Sequence, residues 1–170
     1  MSEIENFNMI KPGNAFGRAG PFVSGQLVAL LNRPEHGVER CLDGNQYTNT
    51  VQTVDSAVAL QNASFTGIQW MLEAKSNGCW RLLNQGDPGC GLTGHGDIVE
   101  LQSLTDDPEE DDPHGDWLIY AIGNTSDVAL RPVRGAWLTT MAEGDGVVLS
   151  KHSETAIPNA RWIILGNHFG

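Results

Sequence analysis

Short apolar runs of roughly four to six residues, separated by turn residues, cover most of the chain. Inside these runs apolar side chains often alternate with polar ones, which is the spacing of a half-buried β-strand. No window sustains the period of an amphipathic helix, so we expect essentially no long helix. The pattern predicts an all-β protein.

The strand pattern recurs three times. Trp70, Trp117 and Trp162 lie roughly 45 residues apart, a spacing typical of repeat units, and each opens an apolar run. Upstream of each Trp, three similar segments occur in the same order: an apolar strand, a Leu followed by small polar residues, and an alternating segment. These segments are 28–32, 42–44 and 58–61 in the first copy, 80–84, 92–94 and 99–102 in the second, and 128–132, 138–140 and 147–150 in the third.

Three copies of a four-strand unit can form one closed core. A single unit cannot cover its own apolar face, whereas three can close into a short barrel and remove the strand edges. We therefore predict a single domain over residues 24–170, with repeats at about 24–75, 76–123 and 124–170. Residues 1–23 form an N-terminal arm. Leu30, Leu42, Leu60 and their equivalents are expected to be buried.

The repeat resembles that of the β-trefoil lectins of the ricin-B type and their fungal and bacterial relatives. In that family each repeat ends in Gln-x-Trp, usually preceded by Asn. Here the Trp is kept three times, Asn159 stands at the Asn position, and Gln69 is one place off. Cys41 and Asp43 resemble the family's Cys-x-Asp, without its disulfide pattern. The resemblance covers roughly residues 24–166 and implies a β-trefoil with three pseudo-symmetric repeats.

The resemblance also implies shallow sugar-binding sites in the loops, where a carboxylate or amide meets hydroxyls and an aromatic ring meets the apolar face of the sugar. In the first unit these residues are Asp43, with Asn45 nearby and Phe65 as the ring. For Asp43 a turn-stabilising role is an equally good interpretation. In the third unit they are Asn159 and His152. The second unit has Thr in place of the Asp, and we expect no site there.

The net charge of −11 argues against nucleic acid and against an anionic membrane surface. No segment approaches the ~20 apolar residues of a membrane span. The first residues lack a basic region and an apolar core, so we expect no secretory signal and a protein that is cytoplasmic or released without a signal peptide. The expected partners are glycans or glycoproteins, and the oligomeric state stays open.

Acidic residues are concentrated between Asp106 and Asp116. This segment lacks the pattern of a calcium loop and contains two prolines, so we expect a solvated, mobile loop that favours solubility. The three cysteines are expected to be mostly buried free thiols, and a Cys79–Cys90 bridge is the alternative.

Catalytic motifs are not apparent. The five histidines have no metal-ligand spacing, and the sequence shows no nucleophile elbow or phosphate loop. We therefore expect no enzyme activity, no metal and no cofactor. The predicted function is that of a lectin that recognises glycans through shallow loop sites. The alternatives are a β-trefoil protease inhibitor and a toxin-associated protein-interaction trefoil.

Overall fold

The computed structural model describes residues 7–15, 18–32, 38–61, 66–104, 107, 110–141, 146–150 and 158–166. An N-terminal strand, β1 (Phe7–Met9), precedes three four-strand units. The first unit contains β2 (Leu27–Asn32), β3 (Arg40–Asn45), β4 (Thr50–Asp55) and β5 (Trp70–Ala74). The second contains β6 (Trp80–Asn84), β7 (Cys90–His95), β8 (Ile98–Ser103) and β9 (Trp117–Ile122). The third contains β10 (Val128–Pro132), β11 (Trp137–Thr140), β12 (Val147–Ser150) and β13 (Trp162–Leu165).

The first and fourth strands of the units form a closed antiparallel ring. Its order is β2–β5–β6–β9–β10–β13, and β13 pairs again with β2. The second and third strands form the hairpins β3–β4, β7–β8 and β11–β12. These hairpins meet one another where Thr50 pairs with Glu100 and Gln52 bridges to Gly146. A six-strand barrel with three hairpins at one end is a β-trefoil, as the repeat predicted.

The core is the sum of the repeated apolar columns. Leu30 and Leu42 are fully buried, and so are their equivalents in the other units, Leu82, Leu92, Leu130 and Leu138. These six side chains come from the first and second strands of all three units, so barrel strands and hairpin strands together enclose a core that no single unit could enclose.

The third strand of the first unit lies elsewhere than predicted. Residues 58–61 were predicted as a strand, but Ser56–Ala59 is a short helix, α1, capped by the Asp55 carboxylate, which accepts from Ala57 N at 2.9 Å. The strand is β4, in which Thr53 takes the place of the buried Leu found in the other units. The prediction that Leu60 is buried was correspondingly wrong, because it follows the helix and is only half-buried.

One hydrogen bond recurs in all three units. The Trp that opens each fourth strand is fully buried, and its indole N–H donates to the main-chain oxygen of the Leu in the second strand of the same unit. The pairs are Trp70 to Leu42 (3.1 Å), Trp117 to Leu92 (2.8 Å) and Trp162 to Leu138 (2.9 Å). The bond orients each hairpin on the barrel while satisfying a polar atom that burial would otherwise leave unpaired.

The N-terminal arm contributes to the fold. Strand β1 pairs antiparallel with β9, with Asn8 opposite Ala121. Ile10 is fully buried, and its main-chain oxygen accepts from the indole N–H of Trp80 at 3.0 Å. Strand β1 therefore adds a strand beside the barrel, and Ile10 fills the space next to its second unit.

The end of the acidic segment is ordered and partly buried, which differs from the solvated, mobile loop that was expected. Asp116 is 2% exposed and pairs with the equally buried Lys75 at 2.7 Å. The Lys75 ammonium also donates to the main-chain oxygen of Glu110, and Asp112 N donates to the Asp116 carboxylate. These additional hydrogen bonds offset the desolvation of two buried charges, so this part of the segment is structural.

All three cysteines are free, as expected, and Cys41 and Cys79 are buried. Burial, with a smaller contribution from Glu39 and other nearby carboxylates, raises the pKa of the Cys41 thiol to about 12. Burial also raises the pKa of the Cys79 thiol. Among the described residues, no helix has the length and apolar character that crossing a bilayer requires.

The repeated indole hydrogen bond leads to a first prediction. Replacing Trp117 with Phe should destabilise the fold by at least about 1–3 kcal/mol, because Leu92 O loses its buried donor. Replacement with Ala should cost about 3–5 kcal/mol, because the ring is also removed. Trp137→Phe is the matched control: it also shortens an aromatic ring, but the indole N–H of Trp137 donates to no described residue, and we expect a change of about 1 kcal/mol or less from reduced ring contact alone. Urea unfolding measures all three, and equal effects of Trp117→Phe and Trp137→Phe would contradict the role of the bond.

Thiol accessibility provides a second prediction. In the native protein Cys90 should react with Ellman's reagent before the other two thiols, because it is only half-buried. Cys41 and Cys79 should react only on unfolding, since both are buried and their raised pKa values leave little thiolate at neutral pH. In urea all three should react. Rapid modification of Cys41 in the native state would show that this part of the core is open.

Candidate functional site

The β3–β4 hairpin of the first unit presents polar and aromatic groups at its tip. Asn45 closes the turn, because its side-chain oxygen accepts from Tyr47 N at 2.9 Å and Thr48 N at 3.3 Å. Asn49 completes the turn with a φ of 58°, in the left-handed region that Asn tolerates. This geometry places Tyr47 at the tip with 87% of its surface exposed. An exposed aromatic on a rigid turn is available to a ligand.

Asp43 lies below this tip, on β3, and is 7% exposed. Its carboxylate accepts a hydrogen bond from the Gln52 side chain, on the paired strand, at 3.3 Å, and no other described residue donates to it. Burial raises the pKa of Asp43, and the Gln52 hydrogen bond offsets part of that rise. No described main-chain N–H donates to Asp43, so the geometry does not support the turn-stabilising interpretation. Asn45 stabilises the turn instead, through the hydrogen bonds that its side-chain oxygen accepts from Tyr47 N and Thr48 N.

A second wall stands opposite the hairpin. It is the 3₁₀ turn Thr66–Ile68, in which Gly67 approaches Asp43 so closely that a Cβ there would overlap the Asp43 carboxylate. Asn84, which is fully buried, holds this wall: its side-chain amide donates to Gly67 O at 2.9 Å and its oxygen accepts from Gly86 N at 2.9 Å. The carboxylate of Asp43 is thereby enclosed on two sides.

Between these walls lies an open pocket of about 300 Å³, which we call the Asp43 pocket. Its lining consists of residues 43–47, Thr66, Gly67 and Gly86. The size suits a single sugar-sized ring. The pocket combines a carboxylate acceptor with an amide and an exposed aromatic ring, groups that match hydroxyls and an apolar ring face.

Of the predicted site residues, Asp43 and Asn45 lie on the same pocket, while Phe65 and His152 fall outside the described residues. Asn159 lies in the 3₁₀ turn Pro158–Ala160 of the third unit. There its side-chain amide donates to Thr140 O at 3.3 Å, and its main-chain oxygen accepts from the Asn32 side chain at 3.1 Å. Asn159 thus fastens the third hairpin to the barrel, and a binding role for it stays a prediction.

Tyr47 was not among the predicted site residues. The signal was present in the polar segment 45–49, where a single aromatic occurs among residues that favour turns.

In the second unit Thr93, at the Asp43 position, is buried and donates to Glu100 O at 3.0 Å. Among the described residues, no three His, Cys, Asp or Glu side chains are grouped in a way that would hold a metal ion.

Comparison with known proteins shows the fold. No family model and no curated protein matches the sequence. Among solved structures, SeviL bound to asialo-GM1 saccharide matches with a TM-score of 0.59 and 13% identity, over 84% of this chain and 98% of that chain. The Haemophilus ducreyi cytolethal distending toxin matches with a TM-score of 0.64 and 14% identity, over 82% of this chain and 83% of that chain.

A mosquitocidal holotoxin matches with a TM-score of 0.65 and 12% identity, over 85% of this chain. The match spans only 17% of the holotoxin chain. Together these similarities, at 12 to 14% identity, show the fold, in agreement with the β-trefoil topology described above.

The raised pKa of Asp43 leads to a prediction about stability. Because burial disfavours the ionised carboxylate, Asp43 stabilises the fold less at neutral pH than it does when protonated. An Asp43→Asn variant should therefore be at least as stable as the wild type at neutral pH. The difference should shrink as the pH falls below the raised pKa of the folded state, and it should disappear below the pKa of the unfolded chain, where the carboxyl is neutral in both states. Urea unfolding against pH measures this, and a variant that is much less stable at neutral pH would instead indicate a structural role for the charge.

Proposed function

We propose that this protein is a carbohydrate-binding β-trefoil that recognises glycan hydroxyls in the Asp43 pocket. One observation carries the proposal: a nearly buried carboxylate with one long hydrogen bond from Gln52 lines an open pocket beneath an exposed Tyr ring. A charged acceptor that folding leaves incompletely satisfied gains most from donors supplied by a ligand. Adjacent sugar hydroxyls are such donors.

The two sides of a sugar ring match the two parts of the pocket. The hydroxyls would donate to Asp43, and the Asn45 amide, which donates to no described residue, would reach a ring or hydroxyl oxygen. The apolar C–H face would pack against Tyr47. A pocket this shallow makes few contacts, so a single sugar should bind weakly, and useful affinity would come from several sites or several copies.

We propose a binding protein rather than an enzyme. Among the described residues that line the Asp43 pocket, the ionisable side chains are Asp43 and Tyr47, and there is no Ser, Cys, His or Lys that would act as a nucleophile or a base beside them. The fold similarity to SeviL, described with a bound saccharide, supports carbohydrate binding.

A toxin-associated role is a second candidate. The support is that two of the three similar structures named above are toxins, one of them matched over 83% of its chain. The two proposals are compatible, because a glycan-binding trefoil can deliver a toxin to a cell surface. The protease-inhibitor alternative stays a prediction without a specific observation in its favour.

Substitutions in the pocket test the proposal. A glycan array identifies a bound glycan, and titration calorimetry then compares variants. Asp43→Asn should weaken binding about tenfold or more, because a charged acceptor is lost. Tyr47→Ala should weaken it about three- to tenfold, because the ring contact is lost. Val58→Ala, at a residue that is similarly exposed but lies on α1, is the control and should bind like the wild type.

Unchanged binding by Asp43→Asn would exclude the Asp43 pocket as the binding site. A wild-type protein that binds no glycan but inhibits a protease would contradict the carbohydrate-binding proposal and support the inhibitor function.

The pH dependence of binding offers an independent check. Binding needs the ionised Asp43 carboxylate, so affinity should fall as the pH is lowered through its pKa. Because burial raises that pKa, the loss should begin at a higher pH than for an ordinary Asp. Calorimetry from about pH 7 down to about pH 4 measures the midpoint. The Asp43→Asn variant should show no such transition, and a transition of equal size in that variant would assign the pH dependence to another group.

A further inference from the structure

A second pocket, of about 690 Å³, lies between the second and third units, and we call it the Arg131 pocket. It lies outside every position at which the sequence predicted a site. Its lining includes Asp97, Arg131, Arg134, Ala136, Trp137 and Leu149. Apolar side chains and an aromatic ring therefore occur in it together with three charged groups.

Main-chain hydrogen bonds fix the loops that carry these charges. Asp97 lies in a two-residue hairpin turn between β7 and β8, and Gly96 before it has a φ of 64°, the left-handed backbone that such turns require. The main-chain oxygen of Asp97 accepts from Leu149 N at 3.2 Å. Arg134 N donates to Pro113 O at 3.1 Å. The rim of the pocket is thus attached to both neighbouring units.

Trp137 is held by two other aromatic side chains. Its ring makes edge contacts with Phe7 of β1, at 5.7 Å between centroids, and with Tyr120 of β9, at 5.6 Å. The Arg131 guanidinium lies 5.7 Å from the centroids of both Tyr120 and Trp137. These contacts restrain the Trp137 side chain and the guanidinium before any ligand arrives, which lowers the entropic cost of binding.

Arg131 has no carboxylate partner within the described part of the chain. Its hydrogen bonds are long and go to neutral acceptors: Tyr120 Oη at 3.3 Å, Val133 O at 3.3 Å and Pro132 O at 3.5 Å. Arg134 is exposed and makes no ion pair with a described residue. The chain has a net charge of −11, yet these two arginines line one pocket and form no ion pair with a described residue. Their positive charge is therefore available to an anion.

The repeat shows that the fold does not need these residues. At the position of Arg131 the first and second units have Leu31 and Leu83, and at the position of Trp137 they have Cys41 and Gly91. The third unit alone combines an Arg and a Trp at two outward-facing positions. Contacts with Phe7 and Tyr120 hold the Trp137 ring in place, but no described carboxylate pairs with the Arg131 guanidinium, so an anionic ligand would complete this cluster.

We infer that the Arg131 pocket binds a sugar ring that carries an anionic substituent, a carboxylate or a sulfate. The guanidinium groups of Arg131 and Arg134 bind the anion, and Trp137 packs against the apolar face of the ring. Asp97 accepts from ring hydroxyls, and it disfavours anions that have no hydroxyls to donate. The volume suits a mono- or disaccharide. The overall negative charge disfavours a long polyanion such as nucleic acid.

This inference does not depend on the Asp43 pocket, and the experiment separates the two. Sodium D-glucuronate and N-acetyl-D-glucosamine 6-sulfate are titrated at constant ionic strength into protein labelled with ¹⁵N. D-glucose and N-acetyl-D-glucosamine are the matched neutral sugars, and sodium acetate is the anion without a ring. The readout is the indole N–H resonance of Trp137, since the other four indoles donate to main-chain oxygens in the core.

The Trp137 resonance should shift in a saturable way with one or both anionic sugars, and about tenfold more weakly with the neutral sugars and with acetate. The anionic sugar that saturates the shift at the lower concentration shows whether the pocket prefers a carboxylate or a sulfate. Arg131→Leu, which restores the residue of the other two units, should weaken binding about tenfold or more. Arg131→Lys keeps the positive charge but lacks the planar guanidinium with its paired N–H donors, so it should weaken binding by a smaller factor. Arg134→Gln should also weaken binding.

Asp43→Asn should leave this titration unchanged, so failure at one pocket is distinguishable from failure at the other. The same response to each anionic sugar as to its neutral partner would overturn the inference. So would unchanged binding by both Arg131 variants, or a Trp137 resonance that none of the probes shifts.

Discussion

The hydrogen bond from a buried indole N–H to a main-chain Leu oxygen, made once in each unit, is the interaction on which the rest of the structure depends. It joins the fourth strand of a unit, which belongs to the barrel, to the second strand, which belongs to a hairpin. The ring supplies a large buried apolar surface and the N–H supplies direction. The three bonds give the hairpins a common orientation on the six-strand barrel, and the walls of the pockets follow from that orientation.

A second set of contacts joins each unit to the next, and here the symmetry is incomplete. Asn32 and Asn84 end the first strands of their units, and each donates to main-chain oxygens around the 3₁₀ turn of the neighbouring unit. The third unit has Pro132 instead, and Val133 N makes the link by donating to Asp116 O at 2.9 Å. The turn that follows Pro132 carries Arg134 and leads to Trp137. The departure from the repeat therefore coincides with the larger of the two pockets.

Each proposed site contains a charged side chain that the packing of the fold does not require. Asp43 is a carboxylate held in a mostly buried position, with its pKa raised by that burial. Arg131 is a cation whose hydrogen bonds with the described residues go to neutral acceptors only. The pair of Lys75 and Asp116 shows the contrasting case, in which two buried charges satisfy each other and attach the acidic segment to the barrel. A charged group that folding leaves incompletely satisfied calls for an explanation, and ligand binding is the explanation we propose for Asp43 and Arg131.

The sequence by itself determined the three-fold repeat, the order of the strands and most of the core, including Trp70, Trp117 and Trp162, because alternation and repetition are properties of the chain read in one dimension. It misplaced the third strand of the first unit, because Thr53 replaces the Leu that marks that strand elsewhere. It predicted Asp43 and Asn45 as site residues by position, and the structure places both on one pocket. Only the tertiary structure decided that Tyr47 stands exposed above Asp43, that Asn159 fastens a hairpin, and that Arg131 and Asp97 share a pocket. Those relations depend on how the barrel closes, which brings together residues whose separation along the chain carries no information about their distance.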